Sequence, residues 1–449
     1  MKKVELLSPA GNLEKLKIAF AYGADAVYAG VSHFSLRIRS SREFNMDTFK
    51  EGIDYAHNLN KKVYVTINGF PFNSQIDLLK KHIIQMASLN PDAFIAAAPG
   101  VVKLCNDLAP NIPIHLSTQA NVMNYLDAQV YYDMGVRRII AAREISLKDV
   151  ITIKKYLPKL EIEIFVHGSM CFAYSGRCLI SAVQTGRVPN RGSCANDCRF
   201  DYTLYAKSKD NDTLFRLEED PGVGTYIFNA KDMNLASSID EILKSGAIDS
   251  VKIEGRTKSP YYAAITAYAY RNAIDDYYDN KFNSDIYQKE LHTTKNRGFS
   301  DAYLIHKPFD RKNTQNHTSS LSRGTYEVSG LVTQDELHFM CKYTTLKNQE
   351  IEIFAPLNSK IDLCDNQIGK IYKKDDNKFY IKFKTIQTSS GKILESVHSG
   401  NINKIKLPSK LPYLTIFRIK NQEKNIPNDI INNKIEENIP KYVKNSTDI

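Results

Sequence analysis

"RRIIAAREISLKDVITIKKYLPKLEIEIFVHG", residues 137–168, contains one full unit of the pattern that decides the fold. The apolar run from Arg137 to Glu144 ends in small and polar residues. Ser146 then stands where a helix N-cap is wanted, ahead of apolar residues at helical spacing from Leu147 to Tyr156. A second β-branched run, Glu161 to Gly168, follows a short link. A strand, a capped helix and a strand read as a βαβ unit, whose strands lie parallel because the helix crosses back over the sheet.

The same rhythm extends in both directions. Upstream lie "VELLSPAG" (Val4 to Gly11), "AVYAG" (Ala26 to Gly30), "KVYVTING" (Lys62 to Gly69), "DAFIAAAPG" (Asp92 to Gly100) and "IPIHLSTQ" (Ile112 to Gln119); downstream lies "DSVKIEGR" (Asp249 to Arg256). Helical patterns over Asn12–Tyr22, Ile76–Leu89, Leu126–Met134 and Ser238–Lys244 separate several of them, and Gly23, Gly135 and Gly246 follow helix ends. Eight strand–helix units predict a closed, TIM-like (β/α)₈ barrel over residues 1–285. No glycine-rich dinucleotide loop follows the first strand, which argues against an open Rossmann sheet.

Beyond the eighth strand, "SPYYAAITAYAYRNAIDDYYDN" predicts a long tyrosine-rich helix. A polar connector containing "NRGFSDAYL" is expected over residues 286–325. Short alternating runs from Tyr326, such as "YEVSGLVT", "IEIFAP" and "KFYIKFK", predict a small antiparallel β-barrel over residues 326–415. Residues 416–449 are expected to form a flexible tail.

The gap between the seventh and eighth strands, residues 168–232, is far longer than an ordinary βα loop. It leaves the C-terminal face of the barrel, where such folds build their active sites. Four of the seven cysteines lie in it, spaced Cys171-x6-Cys178-x15-Cys194-x3-Cys198, with glycines at 168, 176 and 192 able to form tight turns. Four thiolates can converge on zinc or an iron–sulfur cluster, although paired C-x2-C knuckles and the common ferredoxin spacing are missing. Buried free cysteines, or a Cys171–His167 pair, remain open alternatives. Cys105, Cys341 and Cys364 are scattered and read as packing residues.

The bulk properties narrow the function classes. The 449 residues carry a net charge of +10, which favours polyanionic partners, RNA or DNA first. The N-terminus has no unbroken apolar run and no stretch is long enough for a membrane span, so a cytoplasmic protein without a membrane partner is expected. Thiols stay reduced there, which disfavours disulfides. Neither H-E-x-x-H nor G-x-S-x-G occurs, so the familiar proteolytic signals are missing. His167, Gln119, Glu144, Glu254 and Arg256 fall at strand ends and are expected to project towards the barrel mouth. There the histidine could shuttle protons, a carboxylate could act as base, and the arginine could hold a phosphate or carboxylate.

"ELLSPAGNLEKLKIAFAYGADAVYAG", "HLSTQANVMN", "EIFVHGSMCFAYSGRCLIS", "NRGSCANDCRFDY", "GTYIFNAKDM" and "SVKIEGRTKSPYYAA" resemble the collagenase-like peptidase family, peptidase family 32 of the unknown-mechanism class. The resemblance runs from Val4 to about Lys406, and within the family it is closest to the tRNA-hydroxylating branch. It implies 5-hydroxylation of the wobble uridine in the tRNA anticodon loop, without molecular oxygen and with prephenate as co-substrate. It also implies a four-iron–four-sulfur cluster on Cys171, Cys178, Cys194 and Cys198. Peptidase activity is the alternative carried by the family label, and a non-catalytic RNA-binding or assembly subunit is a third; the need for a partner subunit stays open. Tyr174, Tyr261 and Tyr262 are candidate platforms for a flipped base.

Overall fold

The computed structural model describes residues 3–31, 34, 44–171, 178–187, 194–200, 202, 204–207, 214–217, 230–305, 316, 324–399 and 404–421. Seven strands, β1 (Glu5–Pro9), β2 (Ala26–Ala29), β3 (Lys62–Ile67), β4 (Ala93–Ala96), β5 (Ile114–Leu116), β6 (Val136–Ile140) and β7 (Glu161–Ser169), pair in order and in parallel. Helices α1 (Leu13–Ala21), α2 (Met46–Asn58), α3 (Ile76–Ala87), α4 (Pro99–Leu108), α5 (Tyr125–Asp133) and α6 (Leu147–Tyr156) connect them. The insertion contributes α7 (Ile180–Thr185) and the hairpin β8 (Leu204–Lys207) and β9 (Leu214–Leu217). Then come β10 (Asp232–Asn234), α8 (Ile239–Lys244), β11 (Ser250–Ile253), α9 (Pro260–Tyr278), α10 (Ser284–Leu291) and β12 (Phe299–Ser300). Strand β11 pairs in parallel with both β7 and β1, and so closes the expected barrel of eight parallel strands.

Local chemistry explains the helix starts. Asn12 accepts the Lys15 N–H, Ser146 accepts that of Asp149, and Ser259 accepts that of Tyr262 with Pro260 opening α9. Val27, Val63, Val65, Phe94, Ile114, Ile139, Ile164 and Val251 are buried and anchor the main core.

The barrel interior is polar. Glu5 takes the Tyr64 hydroxyl at 2.7 Å and the Arg138 guanidinium at 2.5 Å, contacts that cross from β1 to β3 and β6. Arg138 also reaches Glu163, which receives the Lys252 ammonium at 2.9 Å. Burial pushes the Glu5 carboxyl up, but Arg138 and Tyr64 outweigh it and hold Glu5 below the usual range. Burial pulls Lys252 below the ordinary lysine range, and Glu163 opposes that pull.

Two regions differ from the sequence-based expectation. The polar connector is packed structure: it contains α10 and β12, and Thr293, Thr294 and Arg297 are buried. Strand β12 pairs with β10, and β10 runs antiparallel to the end of β7. The expected tail begins too early, because Ile416–Lys420 is an internal strand paired with both Tyr326–Val332 and Ile351–Phe354. Its apolar side chains serve both cores, Ile416 the main one and Phe417 the second. Residues 422–449 lie outside the described residues.

The C-terminal region, expected as a small β-barrel, is an eight-stranded antiparallel sheet around a second core that includes Phe339, Ile381, Phe383 and Phe417. It docks on the barrel through the Tyr22 hydroxyl, which donates to the carbonyls of Phe354 and Leu414. No helix among the described residues is long and apolar enough to cross a membrane.

The candidate site at the barrel mouth

At the C-terminal end of the strands the interior network gives way to a second polar group. On β11, Lys252 faces the interior, and Glu254 and Arg256 follow just past the strand end, on either side of Gly255 with its φ of +147°. Arg256 crosses the mouth and donates to the Thr66 hydroxyl of β3 at 2.9 Å. The Glu254 carboxylate meets the Tyr28 hydroxyl of β2 at 3.4 Å and the Arg143 guanidinium at 3.5 Å. Arg143 lies 4.0 Å from the centre of the Phe165 ring, stacked on the last inward residue of β7. Gln119 sits beside this group on the β5 rim, with its amide oxygen 3.4 Å from the Ser117 hydroxyl, which in turn meets Asn68 of the β3 end. Glu144 is half-buried next to Arg143.

His167 is placed differently. The pairing of β7 with β11 slips by one residue between Lys252 and Ile253, so Phe165 lies opposite the former and His167 opposite the latter. The extra residue turns the imidazole to the helix side, where Tyr262, Tyr270 and Phe299 surround it and the Tyr270 hydroxyl lies 3.3 Å from Nδ1. Burial drives its pKa down to about 3, so it is neutral at physiological pH. Its carbonyl accepts the Glu254 N–H at 2.8 Å and ties the chain just after β11 to β7. Tyr261 and Tyr262 are buried in α9 rather than presented to a base, with the Tyr262 hydroxyl donating to the Glu254 carbonyl at 2.6 Å. Tyr174, Gly176 and Gly192 lie outside the described residues.

The cysteine segment rises from the same edge. Cys171 follows β7 by two residues, and Cys178, Cys194 and Cys198 flank α7 and the turn after it. Cys171 and Cys194 are exposed, Cys178 and Cys198 partly so. Burial raises the Cys198 thiol, Arg199 opposes this, and the thiols of Cys171, Cys194 and Cys178 each raise it further. Cys198 therefore lies within electrostatic range of each of the other three thiols. Among the described residues, no three of His, Cys, Asp or Glu are closed up on a common point as ligands of a metal ion. Ser181 Oγ approaches Cys194 Sγ at 3.9 Å and accepts the Ala195 N–H at 3.1 Å, tying the segment to α7.

Beneath the cysteines is an ion pair that the sequence reading did not select. Arg297, from the "NRGFSDAYL" stretch, is bound to Asp232 of β10, both nearly fully buried. Arg297 is within electrostatic range of Cys198 and Arg199, and Arg199 reaches the Met170 carbonyl at 3.4 Å. A connector arginine gave no signal in sequence, because only the β10–β12 pairing brings it under the cysteine segment. Arg143 and Thr66 were missed for a similar reason, being ordinary strand-end residues until the barrel closes.

These features define a class: a (β/α)₈ barrel with a charged mouth and a four-cysteine insertion on its catalytic face. The chain belongs to peptidase family U32, whose sequence profile matches residues 11–314. It is 62% identical over 418 residues to the tRNA hydroxylation protein P of Helicobacter pylori, covering 93% of this chain and 99% of that protein. Against the tRNA hydroxylation protein P of Escherichia coli the identity is 37% over 395 residues, 80% of this chain and 84% of that one. The Escherichia coli 23S rRNA 5-hydroxycytidine C2501 synthase is 32% identical over 273 residues, 61% of this chain and 39% of the synthase.

Proposed function

We propose that this protein is an RNA-modifying enzyme that hydroxylates tRNA, at C5 of the wobble uridine in the anticodon loop. The observation that carries the reading is the near-full-length likeness, at 62% identity, to a protein named for tRNA hydroxylation. The mouth supports it. Arg256 and Arg143 supply guanidinium groups of the kind that pair with phosphates and carboxylates, prephenate among them, and the Glu254 carboxylate lies between Tyr28 and Arg143 as a proton acceptor.

Replacing a ring C–H by C–OH is a two-electron oxidation, so an oxygen donor and a two-electron acceptor must enter as co-substrates, and a redox-active group is needed to pass the electrons to that acceptor. The four thiols suit an iron–sulfur cluster held by Cys171, Cys178, Cys194 and Cys198, with the buried Asp197 carboxylate beside Cys198 in sequence. Such a cluster, when bound, would exchange electrons beside the mouth. Arg297 and Arg199 place positive charge near the thiolates, while Glu254 and Arg256 hold the substrate side. Proteolysis has weaker support: His167, the imidazole nearest in sequence to Cys171, is neutral, buried and engaged by Tyr270.

The test is mass spectrometry of tRNA nucleosides from a deletion strain complemented with the parent or with Cys178→Ser. The parent restores 5-hydroxyuridine and carries about four irons and four sulfides per chain; the variant does neither. Undiminished 5-hydroxyuridine in the deletion strain, in the absence of a paralogue, overturns the reading.

A further inference from the structure

A lysine–tyrosine face on the C-terminal sheet is absorbed by none of the above. Strands Gly369–Lys373 and Phe379–Phe383 pair antiparallel, with Lys370 opposite Lys382 and Tyr372 opposite Tyr380. Side chains alternate across a sheet, so Ile371, Ile381 and Phe383 enter the second core while the lysines and tyrosines share the other side. The two tyrosine rings stack with centroids 6.0 Å apart and planes 28° from parallel. The ammonium groups of Lys370 and Lys382 lie 5.9 and 5.7 Å from the Tyr372 ring centre, and that of Lys374 lies 4.5 Å from Tyr380.

Contacts within the fold hold part of this arrangement: the Tyr372 hydroxyl donates to Glu350 and the Tyr380 hydroxyl to Asp376. Like charges directly opposite on paired strands destabilise a sheet. The neighbouring carboxylates are outnumbered: Glu350 is shared by Lys374 and Lys382, and Asp365 by Lys370 and Lys384. Exposed pairs of this kind contribute little and exchange readily for other anions. Residues 326–421 contain fifteen Lys and Arg against ten Asp and Glu, half of the whole chain's positive excess. An aromatic pair ringed by exchangeable lysines matches the way proteins hold unpaired nucleotides, with phosphates on the cations and a base on the ring. The face is also joined to the mouth. Glu290 of α10 takes Lys378, while Gln288 of the same helix takes Asn234 of β10, next to the Arg297–Asp232 pair.

We propose that this face is a second RNA-contacting surface, built on Tyr372, Tyr380, Lys370, Lys374 and Lys382, which grips tRNA outside the anticodon stem-loop. It rests on the RNA-modification reading and adds a partner surface to it. Binding of the full chain to full-length tRNA and to an isolated anticodon stem-loop, followed by fluorescence anisotropy across a salt series, tests it. The Lys370→Gln/Lys382→Gln variant should make the slope of log K against log salt shallower by about 2 for full-length tRNA. Tyr372→Leu should weaken that binding about tenfold with the slope unchanged, whereas Tyr372→Phe, which keeps the ring, should bind as the parent does. Binding and hydroxylation of the stem-loop should be the same in all three variants. Parent-like binding of full-length tRNA by both the lysine and the leucine variants overturns the proposal. So does a lysine effect without a leucine effect, which would mark the lysines as part of the general positive field and not of a base-stacking site. A parent chain that binds neither RNA overturns the RNA-modification reading itself, and the surface with it.

Discussion

At Gly168 the backbone has φ +119°, and a Cβ there would lie 2.5 Å from the Glu254 carbonyl oxygen. The close approach of β7 to β11 therefore depends on a missing side chain. Gly168→Ala combines backbone strain with a main-chain clash, and is expected to cost about 1–3 kcal/mol and to shift Glu254 and Arg256. A urea midpoint equal to the parent's would contradict that. His167 makes a pH prediction. Its folded pKa of about 3 lies below the unfolded value near 6.5, so the unfolded chain binds the extra proton between them. Its contribution to stability is complete above about pH 6.5 and is lost as pH falls towards 3. His167→Gln should flatten the fall of stability between about pH 6.5 and 4, and parallel curves for variant and parent would refute the assignment. Neither residue's setting was legible in sequence. A strand-end histidine reads as a mouth residue until a one-residue slip in the β7–β11 register turns it towards α9.

Among the elements, Ile416–Lys420 shows most clearly how context overrides local pattern. Five residues at the edge of an Asn- and Lys-rich stretch are too few to distinguish a strand from a tail. The strand is nevertheless central to its sheet, and its Arg418 is fully buried where sheet and barrel meet. The guanidinium reaches Glu290 of α10 at 2.8 Å, the Tyr261 hydroxyl of α9 at 3.1 Å, and Glu352 of the adjacent strand. Arg418→Ala leaves Lys378 as the cation shared by Glu290 and Glu352 and takes away the buried guanidinium, and should cost about 3 kcal/mol in calorimetric or denaturant unfolding. A loss below about 1 kcal/mol would show that water reaches them. By contrast five helices of the barrel, α1, α3, α5, α6 and α8, were readable to within about two residues, while α2 and α4 were not singled out. The cap at Ser146 and the apolar spacing of Leu147–Tyr156 are local features that tertiary packing does not reverse.

For the whole molecule, the barrel core is assembled from residues of the strands β1–β7 and β11 and of the helices around them, and does not include the four cysteines. Cys178→Ser should therefore leave the far-UV circular dichroism of the parent intact while abolishing the iron content expected of the proposed cluster; a collapsed spectrum would mean that Cys178 is needed for folding. Such a division suits an enzyme whose scaffold is rigid and whose chemistry rides on an inserted segment. The sequence by itself determined the strand–helix rhythm, the count of eight, the cysteine-rich insertion and the basic excess, because period, cap and composition are local quantities. The likeness carried by its motifs likewise named the family. Only the tertiary structure decided that the barrel interior is a charged network, that Arg256 reaches Thr66 across the mouth, and that Arg297 and Asp232 pair beneath the cysteines. It also decided that lysines and tyrosines from two strands share one face. Each of these depends on residues far apart in the chain meeting at a distance set by strand register, and register is fixed only when the barrel and the sheet close.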